Sequence, residues 1–166
     1  MFRRILVPLD GSHLAESALP AALELASKFE GEITLIRVVA SPTTMPTVDG
    51  RAYGELHFKM REHVLDEAEM YLKLHKNSLR QQGYVVHHQI VEGDSPAGAI
   101  LDIAEAQNMD AIVMSTHGWG GLARWMFGSV ADKIIRRADI PVVLIRANEI
   151  IPPIEAEADL RASELA

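Results

Sequence analysis

The sequence predicts a single α/β domain in which an open, parallel sheet carries helices on both faces. Three observations lead there. Short apolar, β-branched runs alternate strictly with segments of helical periodicity. Caps, prolines and glycines punctuate the junctions. Finally, 166 residues with 48% hydrophobic and 23% charged side chains suit one packed core and exclude a disordered chain.

Ile5 to Leu9 reads as the first strand, ending at Asp10-Gly11-Ser12, a turn and helix cap. His13 to Phe29 has apolar residues at helical spacing, with Gly31 as the stop. Ile33 to Val39 is β-branched and makes the second strand. Ser41 to Gly54, with Pro42, Pro46 and Gly50, is a mobile loop. The next helix lines up Leu56, Met60, Val64, Ala68, Tyr71 or Leu72, His75 and Leu79 on one face, and ends at Gly83. Tyr84 to Val91, made polar by His87-His88-Gln89, is a third strand near a sheet edge. Ser95-Pro96 starts a helix that runs to about Gln107. Asp110 to Ser115 is a nearly all-apolar, central fourth strand; Val130 to Ala138 is a helix and Pro141 to Ile145 the fifth strand. The domain is expected over 1–146. Residues 147–166, with Pro152-Pro153, Glu149, Glu155, Glu157, Asp159 and Glu164, are expected to form a flexible acidic tail.

The most informative stretch is Met114 to Ser129, which joins the fourth strand to the following helix. Glycines at 118, 120, 121 and 128 let the backbone take φ > 0 and approach a ligand closely. Gly128-Ser129 stands where a helix begins, so free N–H groups and the positive dipole end would face outward and hold phosphate. Right-handed crossovers place the ligand crevice at the carboxyl ends of the strands, where Asp10, Val38-Val39 and Ser115 fall.

Other chemistries find little support. A net charge of −7, with no basic cluster larger than the pairs Arg3-Arg4 and Arg136-Arg137, argues against nucleic acid. The absence of cysteine excludes disulfides, thiolate zinc sites and thiol catalysis, and the seven histidines lack i, i+4 pairs. No signal-peptide core or stretch of roughly 18 apolar residues is present, so no membrane partner is expected and the location is cytoplasmic. Gly118-x-Gly120-x-x-Ala123 mimics a dinucleotide fingerprint, but it begins at the fourth strand and no acidic residue follows at the end of another strand, where a ribose would need it; Gly128-Ser129 lacks the lysine of a phosphate loop. Gly93-Asp-Ser95 lacks the pattern of a nucleophile elbow.

The spacing Ser115-x2-Gly118-x9-Gly128-Ser129, with Ile5-Leu-Val-Pro-Leu-Asp-Gly-Ser12, Gly93 and Val142-Val-Leu-Ile145, resembles the ATP-binding branch of the universal stress protein family. That branch carries Gly-x2-Gly-x9-Gly-(Ser/Thr). Ser115 stands at the first glycine and Trp119 at a position often basic in relatives. The resemblance implies a Rossmann-like sheet of order 3-2-1-4-5, dimerised through the last strand. It implies a nucleotide crevice that includes Pro8. Asp10 would lie beside adenine and ribose, and the Val38 backbone at the adenine edge. Ser115, Gly118, Gly128, Ser129 and Val130 would hold phosphates. Val142 to Ile145, an uncharged apolar edge, would be covered by a second subunit, making a homodimer.

Several residues keep two readings. Asp10 is a ligand contact or simply a helix cap. His117 is a ligand contact or a structural donor rather than a catalytic base, and Arg124 a phosphate contact or a solvated surface group. Trp119 stacks on the ligand or only packs, and Trp125-Met126-Phe127 anchors the loop. No catalytic or metal-ligating set is identified. The expected function is ATP binding, with AMP or another adenine nucleotide as variants, in which nucleotide acts as ligand or switch in a stress response. Mg²⁺ or Mn²⁺ would be held mainly by the phosphates. The machinery of fast phosphoryl transfer is missing, so hydrolysis would be slow at most. The alternative is a nucleotide-independent dimeric interaction module, favoured only by Ser115. A nucleotide α-hydrolase would need an acceptor-substrate domain for which no chain remains after Ile145.

Overall fold

The computed structural model describes residues 2–40, 52–117 and 128–147. Its order is β1 (Arg4–Pro8), α1 (His13–Glu16), α2 (Leu19–Phe29), β2 (Glu32–Val39), α3 (Ala52–Gln81), β3 (Val85–Glu92), α4 (Pro96–Ala106), β4 (Ala111–His117), α5 (Ser129–Arg137) and β5 (Val142–Ala147). The strands form one five-stranded sheet ordered β3-β2-β1-β4-β5, parallel at every pairing. Both the class and the expected order are observed.

Each strand buries alternate residues on opposite faces, and two apolar layers result. Ile5, Val7, Ile33 and Leu35 join Ala15, Leu19, Ala22 and Leu72 on the face covered by α1, α2 and α3. Leu6, Ile36, Ile112 and Met114 join Ala97, Ile100, Ala131 and Ile134 beneath α4 and α5. β3 and β5 are the two edges. At β3 the Arg80 guanidinium donates to the Val86 carbonyl at 2.9 Å.

Four local features differ from the sequence reading. The helix expected over 13–29 is two helices, α1 and α2. Pro20 has no N–H to give the Glu16 carbonyl, so it sits in the first turn of a new helix, where none is needed. The left-handed stop after α2 is Glu30 (φ 51°), not Gly31. Gly31 is required by close approach instead: a Cβ there would lie 2.8 Å from the Phe2 carbonyl oxygen and 2.9 Å from that of Arg3. On α3, Ala68, Leu72 and Leu79 are buried as expected, but Met60 and Val64 stay 55% and 40% exposed. The helix, about 45 Å long at 1.5 Å per residue, outruns its eight-residue neighbours β2 and β3. Finally, Gly128 has φ −55°, open to any residue, so no left-handed turn demands glycine there.

The greater part of the expected loop over 41–54 and nearly all of the expected acidic tail over 147–166 lie outside the described residues. Among the described residues, no helix is long and apolar enough to cross a membrane.

Candidate functional site

The sheet opens where its topology reverses. β1 keeps register with β2 as far as Pro8↔Ile36, and the Leu9 amide still donates to the Ile36 carbonyl at 2.8 Å. Its register with β4 covers only Ile5↔Ala111 and Leu6↔Ile112, while β4 continues beside β5 to His117↔Ala147. Beyond Leu6 and Ile112 the two central strands part. A cavity of about 350 Å³ occupies the split, within the size range of small-molecule sites.

Its walls are mostly apolar: Pro8 and Leu9 from β1 and its exit, Ile36 and Val38 from β2, Ile100 from α4 and Met114 from β4. Asp10, Ser12, Ser115, Thr116, Gly128 and Ser129 supply the polar groups. Asp10 is the only ionisable side chain among the described lining residues. Its Oδ1 accepts from the Ser12 amide at 2.9 Å and the Ser12 hydroxyl at 2.6 Å. The other carboxylate oxygen takes no hydrogen bond from the described residues.

Three helices start at this cavity, and their N-termini differ. The Ser12 hydroxyl accepts from the Ala15 amide of α1 at 3.2 Å, and the Ser95 hydroxyl from the Gly98 amide of α4 at 3.3 Å. α5 begins at Gly128, which has no side chain to cap it. The acid in its first turn, Asp132, pairs with Arg136 through two 3.0 Å contacts instead. That guanidinium holds the Asp132 carboxyl below its ordinary range. The Ser129, Val130 and Ala131 amides, which belong to the unpaired first turn, therefore stand at the cavity without a capping oxygen from the described residues. Such a terminus is suited to an anion.

Of the residues named from sequence, Pro8, Asp10, Val38, Ser115, Gly128, Ser129 and Val130 converge on this cavity. Ser115, at the position of the first motif glycine, lines the cavity without filling it. His117 is the last residue of β4. Gly118 and Arg124 lie outside the described residues, as do Trp119 and Trp125-Met126-Phe127. Sequence reasoning missed Ser12, Leu14 and Ala15 as cavity residues, and likewise Pro96, Ile100, Met114, Thr116 and Ala131. The available signal was that each helix leaving the carboxyl end of a strand presents its first turn to the crevice.

Behind the Asp10 turn, on the opposite face of β2, lies a second polar cluster. The Tyr71 hydroxyl donates to Glu16 Oε1 at 2.9 Å, and His75 Nε2 lies 3.2 Å from the same oxygen. Burial pushes the Tyr71 hydroxyl well above its ordinary pKa, and the Glu16 and Asp10 carboxylates push it further. It therefore stays a donor at every physiological pH.

Comparison with known proteins gives a consistent result. Residues 1–146 match the model of the universal stress protein family. A universal stress protein of Methanocaldococcus jannaschii is 33% identical over 146 residues, 88% of this chain and 83% of that protein. The solved structure of a second universal stress protein from that archaeon superimposes with a TM-score of 0.74 at 27% identity, covering 90% of this chain and 99% of the other. The universal stress protein of Archaeoglobus fulgidus in complex with dAMP shares the fold, with a TM-score of 0.63, 23% identity and coverage of 87% and 99%.

Proposed function

This chain belongs to the universal stress protein family, and from that premise we propose that it binds an adenine nucleotide, ATP above all, in the crevice between β1 and β4. Adenine occupies the apolar walls near Val38 and Ile36, the ribose faces Asp10, and the phosphates lie on the amides of Ser129, Val130 and Ala131. The observation that carries this reading is the uncapped N-terminus of α5, opening into the same cavity as Asp10, Val38 and Ser115. Adenine-nucleotide binding by the Archaeoglobus protein, seen as its dAMP complex, supports the ligand class. Ser115 offers a hydroxyl to a phosphate or ribose oxygen, and the family resemblance would add Gly118 and Arg124 to the phosphate side.

A divalent ion, Mg²⁺ or Mn²⁺, is held mainly by phosphate oxygens and water, since among the described residues no three acidic or histidine side chains converge. The nucleotide acts as a ligand or switch in a stress response. Hydrolysis is slow at most, because the described lining residues include no cation and one ionisable group, Asp10, whose Oδ1 is taken by Ser12. The working form is a cytoplasmic homodimer paired through β5, whose Val142–Ile145 stretch is an uncharged sheet edge.

Calorimetric titration with ATP tests the reading, together with mass spectrometry of small molecules released on denaturation. Micromolar affinity is expected, and ATP at 100-fold excess over Kd should stabilise the fold by about 2.7 kcal/mol. A protein that neither carries nor binds any adenine nucleotide would contradict it.

A further inference from the structure

Arg37 is the one charged residue inside the mostly apolar stretch Ile33–Val39 of β2, and its side chain is only 15% exposed. It does not line the cavity. Its neighbours on the strand, Ile36 and Val38, do, so alternation turns Arg37 to the opposite face. There its guanidinium lies flat against the turn that leaves β1. A Cβ placed on Gly11 would be 3.2 Å from Cζ and Nη2 and 3.3 Å from Nη1, so the planar group occupies the space a side chain would need. Gly11 has φ +91°, a conformation that itself favours glycine.

Two further contacts fix the guanidinium. Nη2 donates to Glu67 Oε1 at 3.2 Å. Cζ sits 5.3 Å from the centroid of the Tyr71 ring, within cation–π range. Tyr71 in turn holds Glu16 of α1. Arg37 is thus sandwiched between α3 and the turn Asp10-Gly11-Ser12, of which Asp10 and Ser12 line the cavity.

We propose that Arg37 is a positioning residue: its planar face backs the Gly11 turn and so sets the place of Asp10 and Ser12 against the adenosine end of the ligand. The proposal rests on the nucleotide reading above. It distinguishes a planar support from a remote positive charge, because a lysine keeps the charge and loses the flat face.

The test uses Arg37→Met and Arg37→Lys in the full chain, with adenosine and inorganic triphosphate as separate probes in NMR titrations. Amide exchange of the ligand-free protein is followed at Ser12 and Ala15. Both variants are expected to weaken adenosine by roughly tenfold, the usual scale for removing support behind a ligand-holding group. Triphosphate affinity should hold within about twofold, because its contacts lie on α5. Exchange should quicken by roughly tenfold at Ser12 and Ala15 but not at Gly98. If Arg37→Met does not fold, Arg37→Lys carries the same expectation. Unchanged adenosine affinity with unchanged exchange would overturn the proposal. So would full recovery in Arg37→Lys, or equal losses for both probes. Should the wild type bind neither probe, the nucleotide reading falls, and exchange at Ser12 and Ala15 alone decides whether Arg37 holds the turn.

Discussion

The N-termini of α4 and α5 meet the same cavity and are finished in opposite ways. α4 is closed from within: Ser95 caps it through the Gly98 amide, and Pro96 removes a further N–H from the first turn. α5 is left open by Gly128, although a serine or aspartate at that position would have satisfied it. At the far end of the sheet the chain again closes such groups itself. Asp110 Oδ2 accepts from the Arg3 and Arg4 amides at 2.8 and 2.9 Å. Among the described residues, the chain supplies acceptors at those two places and none at the first turn of α5, where the proposal puts a ligand oxygen. The contrast separates a helix that only builds the wall from the one proposed to hold the ligand.

The strongest way to break this contrast is to close α5 artificially. In Gly128→Asp the carboxylate would cap the Ser129–Ala131 amides and put negative charge where phosphate is proposed. ATP affinity should fall by at least roughly 100-fold, equivalent to about 2.7 kcal/mol. Stability without ligand should rise by roughly 0.5–1 kcal/mol. Calorimetry and thermal unfolding on one sample read both effects, and the opposite signs identify a functional vacancy in the cap. Loss of binding together with loss of stability would mean mere damage.

Opening α4 is the converse experiment. Ser95→Ala should cost about 1 kcal/mol of stability and leave ATP affinity within about twofold. A large affinity loss would show that α4 also holds the ligand. A third prediction concerns the far end, where the Arg4 amide, followed by that of Arg3, holds the Asp110 carboxyl below its ordinary range. A depressed folded pKa contributes stability that is present above the unfolded value and lost as pH falls through the folded one. Asp110→Asn should therefore cost about 1 kcal/mol at neutral pH. The gap to wild type should close below the ordinary carboxylate range, as followed by urea unfolding across pH. A gap independent of pH would remove the charge from the explanation.

The alternation of short apolar runs and periodic helices made the layers legible in the sequence, because burial on both faces of a parallel sheet leaves near-continuous hydrophobic strands. The strand order was legible through family resemblance rather than periodicity. Other features were legible only in part because they depend on tertiary contacts. The break before α2 was available in Pro20, which a helix over 13–29 had to ignore. Glycine at 31 looked like a helix stop, yet its cause is the backbone of residues 2 and 3, far away in sequence. Seven predicted site residues line the cavity because strand ends and helix starts are set by the fold. Arg37 passed unremarked, although a charge inside the mostly apolar run Ile33–Val39 was its signal; what it touches, Gly11 and Tyr71, requires three elements to have come together.

The central claim is tested most directly by following backbone amide shifts while ATP is added to the isotopically labelled protein. The account predicts the largest shifts at Ser129, Val130 and Ala131, with Gly98 and the other α4 amides nearly still. Equal movement at both helices, or α5 amides that ignore ATP while other residues respond, would contradict it.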